Sequence, residues 1–269
     1  MNKILCRIEA ILKPDINEIK VWAIEAGRIL KEGFGAEHQV LMKSARDLVT
    51  EMDHKAEDYL LGEIRARYPG HAIFTEESGE LSGDKANAWY IDPMDGTVNY
   101  AHGMPIFSVS IAYALNGIPV MGVIYDPMRD ELFFAEKGKG AFLNEKPIYI
   151  SQKKELIESL MASSFPPSGS PQHERNLKIF AQFTRTAQNV RRLGSAAIDL
   201  AYVAAGRLDG YWQLQNNAWD IAAGVLLIQE AGGKVTGIEG NEDFFSPPYS
   251  LAAANPVLLP KIVAIIREV

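Results

Sequence analysis

Two aspartates stand three positions apart in "WYIDPMDGTVNY", residues 89 to 100, directly after the apolar run Trp89, Tyr90 and Ile91. A buried strand that runs into two carboxylates has an electrostatic problem. Like charges at this spacing repel, and burying either one costs on the order of several kcal/mol unless it is paired. A bound cation solves it. Three further stretches set acidic residues where strands or helices end: "DLVTEMD" with Asp47 and Asp53, "FTEES" with Glu76 and Glu77, and "AWDIAAG" with Asp220 in the first turn of an apolar helix. Oxygen-only donors suit a hard cation, Mg²⁺ first, with Mn²⁺ or Ca²⁺ as competitors. The five histidines, at 38, 54, 71, 102 and 173, show no zinc spacing.

Each of these residues also has a plainer role open to it. Asp53 and Asp220 are placed to cap helices, Glu76 and Glu77 to sit in a solvated loop, and Asp92 to Thr97 to make an ordinary turn. The strand entering that turn and the Gly96-Thr97 pair leaving it argue for more. Backbone N–H groups there, opening a helix or a nest, bind an anion such as phosphate.

Periodicity shows which elements must hold these groups. Apolar positions at Ile16, Ile19, Trp22, Ala23, Ala26, Ile29 and Leu30 predict a helix over residues 15–33, and a second helix covers 53–67. "HAIFTEES" and "AWYID" read as strands. From 105 to 150, "IFSVSIAYAL", "IPVMGVIYD", "ELFFAE", "GAFLN" and "KPIYI" form a succession of antiparallel strands broken by turn signals. After Ile150 the pattern changes. A strand at 159–164 enters the loop-like "FPPSGSPQHE", and helices near 172–187, 195–206, 218–231 and 256–267 alternate with strands near 189–193, 209–213, 233–236 and 249–254. This predicts an α+β half over 1–150 and an α/β half over 151–269, in one unit with no flexible linker between them.

Bulk composition narrows the function. The 269 residues are 47% hydrophobic and 23% charged, the profile of a soluble globular chain. A net charge of −7 argues against nucleic acid as a partner. Cys6 is the only cysteine, so no intrachain disulfide forms, and a reducing compartment fits. No apolar run approaches a membrane span, and the N-terminus lacks the apolar core of a signal peptide. The expected location is cytoplasmic.

"DPMDGTVNYAHGMP" together with "WDIAAGVLLIQEAGG" resembles the inositol monophosphatase family, in the superfamily that includes fructose-1,6-bisphosphatase. "DLVTEMD", "TEES" and "GKGAFLN" add to the match, which runs from about residue 15 to the C-terminus. The resemblance implies a layered α-β-α-β-α fold of α+β class, usually a homodimer. It also implies two or three Mg²⁺ ions, with Mn²⁺ as a substitute, and a small-molecule phosphate ester as substrate. Carried over residue by residue, Glu76, Asp92, the main-chain carbonyl of Met94, Asp95 and Asp220 match metal ligands. Asp53 and Thr97 match the pair that orients the attacking water, with Glu76 beside them in catalysis. Gly96 and Thr97 match the phosphate-cradling turn, and Lys43 and Asp47 match flanking positions of an active-site loop. Ser195, Ala196 and Gln213, with Asp95 and Asp220, match positions on the substrate side.

The expected activity is Mg²⁺-dependent hydrolysis of inositol-1-phosphate and related sugar or polyol monophosphates. Fructose-1,6-bisphosphate, histidinol phosphate or a nucleotide 3′-phosphate are the alternative substrates, though Val98-Asn99 after the Asp-Gly-Thr resembles the inositol branch. A non-catalytic binding relative would have lost a ligand, and none is lost. A dinucleotide-binding reading of "GKGAF" fails for want of a third glycine and a following helix. Many members carry glutamate where this chain has Gln213, which can donate and accept but bears no charge.

Overall fold

The computed structural model describes residues 13–36, 40–44, 47–166 and 169–269, with residues 40–44 and 47–49 as backbone only. In chain order the elements are α1 (Ile16–Gly33), β1 (Val40–Ser44), β2 (Asp47–Thr50), α2 (Glu51–Arg67), β3 (His71–Thr75), β4 (Gly79–Leu81), β5 (Asp84–Asp95) and α3 (Thr97–Ala101). There follow β6 (Ser108–Leu115), β7 (Ile118–Asp126), β8 (Glu131–Glu136), β9 (Ala141–Leu143), β10 (Lys146–Ile148), β11 (Leu160–Ser163) and α4 (Pro171–Thr186). The last are β12 (Asn189–Arg191), α5 (Ala196–Ala204), β13 (Gly210–Gln213), α6 (Ala218–Glu230), β14 (Lys234–Thr236), β15 (Leu251–Ala254) and α7 (Leu258–Arg267).

Two sheets organise the chain. One has eight strands in the order β10-β9-β8-β7-β6-β5-β3-β4, the other five in the order β12-β11-β13-β15-β14. Neighbouring residues on a strand point to opposite faces, and here they point into different cores. Ile111 and Val123 face α1 and α2, whereas Ala112 and Ile124 face α5 and α6. On the second sheet Ala162, Tyr211 and Ala253 face α5 and α6, and Met161, Trp212 and Ala252 face α4 and α7. The layers are therefore helix pair, sheet, helix pair, sheet, helix pair: the α-β-α-β-α arrangement expected. The middle pair is apolar almost all round, as a helix buried on both sides must be: every residue of α5 except Tyr202 is buried. No helix among the described residues is long and apolar enough to cross a membrane.

Three features of this frame create the site. The β3–β5 pairing is parallel, with Thr75 opposite Ile91, so the residues that follow, Glu76 and Asp92, come side by side where β3 ends. Between β5 and β6 the register slips: Asp92 faces Ser110 but Asp95 faces Ser108. Three steps on one strand against two on the other is a bulge, which turns both aspartates to one side and accommodates Pro93, a residue with no N–H for the ladder. Finally, α5 and α6 begin at the same end of the molecule as this bulge.

Candidate active site

Glu76, Asp92, Met94, Asp95 and Asp220 all line one cavity of about 250 Å³, together with Gly96, Thr97, Ala196 and Gln213. Asp53 and Ser195 are not on its wall. Asp53 stands behind Thr97, whose Oγ1 lies 3.0 Å from Asp53 Oδ1 and 3.1 Å from the Met94 carbonyl. Ser195 stands behind Asp95: its hydroxyl donates to Asp95 Oδ2 at 2.6 Å, and Gly194 and Ala196 flank the cavity in its place. The side chains of Lys43 and Asp47 lie outside the described residues.

The aspartates share one design. Each ties one oxygen to its own scaffold. Asp92 Oδ1 accepts from the Met94 N–H at 3.0 Å, and Asp95 Oδ2 accepts from the Ala197 N–H at 2.6 Å. Asp220 Oδ2 accepts from the Asn217 N–H at 3.0 Å, closing a capping box on α6. Asp53 does the same for α2, where its Oδ2 accepts from the N–H and hydroxyl of Thr50, each at 2.7 Å. Capping and a site role are therefore not alternatives, because a carboxylate has an oxygen for each. Asp53 and Asp220 occupy the third helical position and reach back, rather than preceding the helix.

Buried carboxylates so arranged resist ionisation. Burial, then the charges of Glu76, Asp95 and Asp220, push Asp92 well above the usual carboxylate range, and Asp92 shares a hydrogen bond with Glu76. Burial and then Asp95 and Glu76 raise Asp220 likewise, against the Asn217 bonds. Asp95 is raised by burial despite the bonds from Ser195, Ala197 and Ala196. Asp53 is raised by burial against its Thr50 and Thr97 bonds. Among the described residues no three acidic side chains converge into a closed ligand shell. The fit to a hard cation lies in the donors: oxygen atoms only, around one cavity, whose proton affinity is raised by burial and by one another.

The turn between the aspartates and α3 depends on a glycine. Gly96 has φ +106°, and a Cβ there would lie 2.9 Å from the Ile106 carbonyl oxygen and 3.2 Å from Phe107 Cα. Gly96→Ala combines a left-handed strain of about 1–2 kcal/mol with a backbone clash. The expected result is a Tm lower by roughly 5 °C with most activity lost. A Tm within about 1 °C of wild type would show that the turn relaxes freely.

Sequence reasoning missed the supports. Glu57 on α2 accepts from Thr75 Oγ1 at 2.6 Å, from the Glu77 N–H at 3.1 Å and from the Ser78 hydroxyl, pinning the turn that carries Glu76. Asn99 Nδ2 donates to the carbonyls of Ile106 and Leu193, both at 2.8 Å, and so holds α3 against the approach to α5. Ser164, Phe165, Arg192 and Asn217 join the cavity wall. Only Asn217 carried a local signal, as the residue that would precede the Asp220 helix.

The chain matches the model of the inositol monophosphatase family over residues 12–269. That covers nearly its whole length. The chain belongs to the inositol monophosphatase family. It is 41% identical over 249 residues to an inositol-1-monophosphatase of Mesorhizobium japonicum, covering 91% of this chain and 93% of that one. It is also 38% identical over 260 residues to the Nus factor SuhB of Escherichia coli K12, covering 96% and 97%. The crystal structure of the extragenic suppressor protein suhB from Bartonella henselae superposes with a TM-score of 0.90 at 39% identity, over 94% of this chain and 98% of that one. Membership places this chain among the phosphoric monoester hydrolases.

Asp199 is a buried acid that this family site leaves unexplained. It is 0% exposed, and neither carboxylate oxygen has a hydrogen-bond partner among the described residues. Burial, then the charge of Asp95, pushes its carboxyl well above the usual range. A group that holds its proton more tightly folded than unfolded contributes stability below the unfolded pKa and loses it as pH rises through the folded one. Asp199→Asn keeps the shape and removes that loss. Its Tm relative to wild type should therefore rise between pH 5 and pH 8. A difference flat across that range would place the titration elsewhere.

Proposed function

We propose that the protein is a Mg²⁺-dependent phosphatase acting on inositol-1-phosphate and related sugar or polyol monophosphates. One observation carries this reading. Carboxylates from the ends of β3 and β5 and from the first turn of α6 line one cavity with the N-terminal residues of α3. Glu76, Asp92, Asp95, Asp220 and the Met94 carbonyl would hold the ions. When bound, they supply Lewis-acid polarisation of the ester and a water of lowered pKa.

The chain's own residues do the rest. The first N–H groups of α3 have no partner within the helix, and Gly96, Thr97 and Val98 line the cavity, where such donors would meet phosphate oxygens. Thr97 links the cavity to Asp53. Its hydroxyl donates to Asp53 Oδ1, so its lone pairs are free to accept a proton-bearing water on the cavity side. A carboxylate whose proton affinity is raised is suited to take that proton. Gln213 and Ala196, across the cavity, would meet the alcohol part of the substrate. The name Nus factor belongs to the relatives that bear it; the site described above reads as a hydrolase. A cytoplasmic homodimer completes the proposal, and sedimentation at micromolar concentration tests the assembly.

The deciding experiment is phosphate release from a panel of esters. Inositol-1-phosphate should be hydrolysed with Mg²⁺, cease to be hydrolysed after exhaustive chelation, and be hydrolysed again when Mg²⁺ is restored. Excess Ca²⁺, which prefers looser coordination, should suppress turnover. Full turnover in the chelated enzyme sinks the metal requirement. No release from any ester sinks the phosphatase reading.

A further inference from the structure

Gln213 lines the cavity and is buried, and its amide is not free to turn. One amide atom lies 2.8 Å from the main-chain oxygen of Gln215. A carbonyl oxygen only accepts, so the atom facing it is the nitrogen. The amide oxygen then faces inward to the hydroxyl of Tyr211, which donates to it. Tyr211 is fully buried, so this bond directs the oxygen into the protein. Of the polar groups of Gln213, the second N–H is the one left for the cavity.

Position 213 is thus a donor, where a carboxylate at the same place would only accept. Arg192 stands on the same cavity wall, exposed, with its guanidinium carbon 5.0 Å from the centre of the Phe165 ring. No carboxylate among the described residues pairs with it. A clamped N–H and a guanidinium with no carboxylate partner among the described residues together favour an anion over a hydroxyl, because a charge-assisted hydrogen bond is about twice as strong as a neutral one.

We propose that this wall is a subsite for a second anionic group, a carboxylate or a phosphate, carried on the alcohol part of the ester. The inference rests on the phosphatase reading and narrows its substrate class. Phosphate esters of acidic or doubly phosphorylated polyols are then better substrates than esters of plain polyols.

Two matched pairs separate the sources of the anion. Glycerol-2-phosphate and 2-phosphoglycerate differ by a hydroxymethyl group replaced with a carboxylate. Glucose-1-phosphate and glucose-1,6-bisphosphate differ by one phosphate. Hydrolysis by wild-type enzyme in Mg²⁺ gives a kcat/KM ratio for each pair. Titration calorimetry on Asp53→Asn with Mg²⁺ gives the binding ratio whether or not turnover occurs. The acidic member should be favoured about fivefold in at least one pair, and the pair that responds identifies the anion. Gln213→Glu should reverse the preference. Tyr211→Phe, which preserves volume and removes one of the two bonds that hold the amide, leaving only the Gln215 carbonyl, should lower the ratio and serves as the test if Gln213→Glu fails to fold. Equal or weaker binding of the acidic member in both pairs overturns the subsite, as does a ratio unchanged in both variants. Absence of phosphate release from every ester, with the binding preference intact, would instead overturn the phosphatase reading alone.

Discussion

Asp95→Asn should lower kcat about a thousandfold, roughly 4 kcal/mol of transition-state stabilisation, while the protein stays folded. The size of the effect follows from how the scaffold orients the replacement. Asp95 Oδ2 accepts from the Ser195 hydroxyl and the Ala197 N–H, both at 2.6 Å. Both are donors, so the amide oxygen of an asparagine must take that place. Its NH₂ is then turned to the cavity, putting two donor hydrogens where a cation needs a lone pair. Charge and polarity are lost at one stroke. Stability without metal should hold or rise slightly, because one member of a repelling acidic cluster has been neutralised. The Mg²⁺-induced rise in Tm that ligand binding gives the wild type should disappear. A variant retaining more than about a tenth of wild-type kcat, a loss of only ~1.4 kcal/mol, would remove Asp95 from the set of ligands.

Ser195 is a partner of Asp95 that no sequence pattern reveals, and the same division runs through the molecule. Elements with strong local periodicity were legible. The helix expected over 15–33 is α1 at Ile16–Gly33, and the one expected over 218–231 is α6 at Ala218–Glu230. The antiparallel succession after residue 105 is β6 to β10. Where tertiary pairing decides, the reading fell short. "AWYID" extends into a strand over Asp84–Asp95, because pairing with β6 continues past the proline through a bulge. The antiparallel pairing of β1 with β2 was not expected at all. The second half alternates strand and helix, as a parallel sheet would. Yet β13 pairs antiparallel with β15, and β15 with β14, so the sheet is mixed.

The site divides in the same way. The acidic residues were visible because each sits where an apolar element ends and a charge has no cheap alternative. Their supports were not, because the partners are distant in sequence: Ser195 lies 100 residues from the Asp95 it bonds. For Gln213, residue type left donor and acceptor equally open. Only the Gln215 carbonyl and the Tyr211 hydroxyl decide between them.

Asp53→Asn is the companion test, directed at proton transfer. Asp53 Oδ2 accepts two bonds from Thr50, so the asparagine oxygen must replace it to keep the cap on α2. The NH₂ then faces Thr97 Oγ1, where Oδ1 accepted at 3.0 Å. A donor there forces the Thr97 hydroxyl to turn its hydrogen to the Met94 carbonyl, 3.1 Å away. Thr97 still accepts, but the proton it would relay has nowhere to go. Loss of a positioned base costs about 10²–10⁴ in rate. The loss should fall on kcat, with KM little changed, because neither residue's role requires contact with the alcohol part of the substrate. Thr97 supplies the control. Thr97→Ser keeps the hydroxyl and should retain most activity, whereas Thr97→Val keeps the shape without it and should match Asp53→Asn. The double variant Asp53→Asn/Thr97→Val should then be no slower than either single one, since each already breaks the same relay. Additive losses in that cycle would mean that the two residues act independently, with Asp53 supporting the site only through its cap on α2.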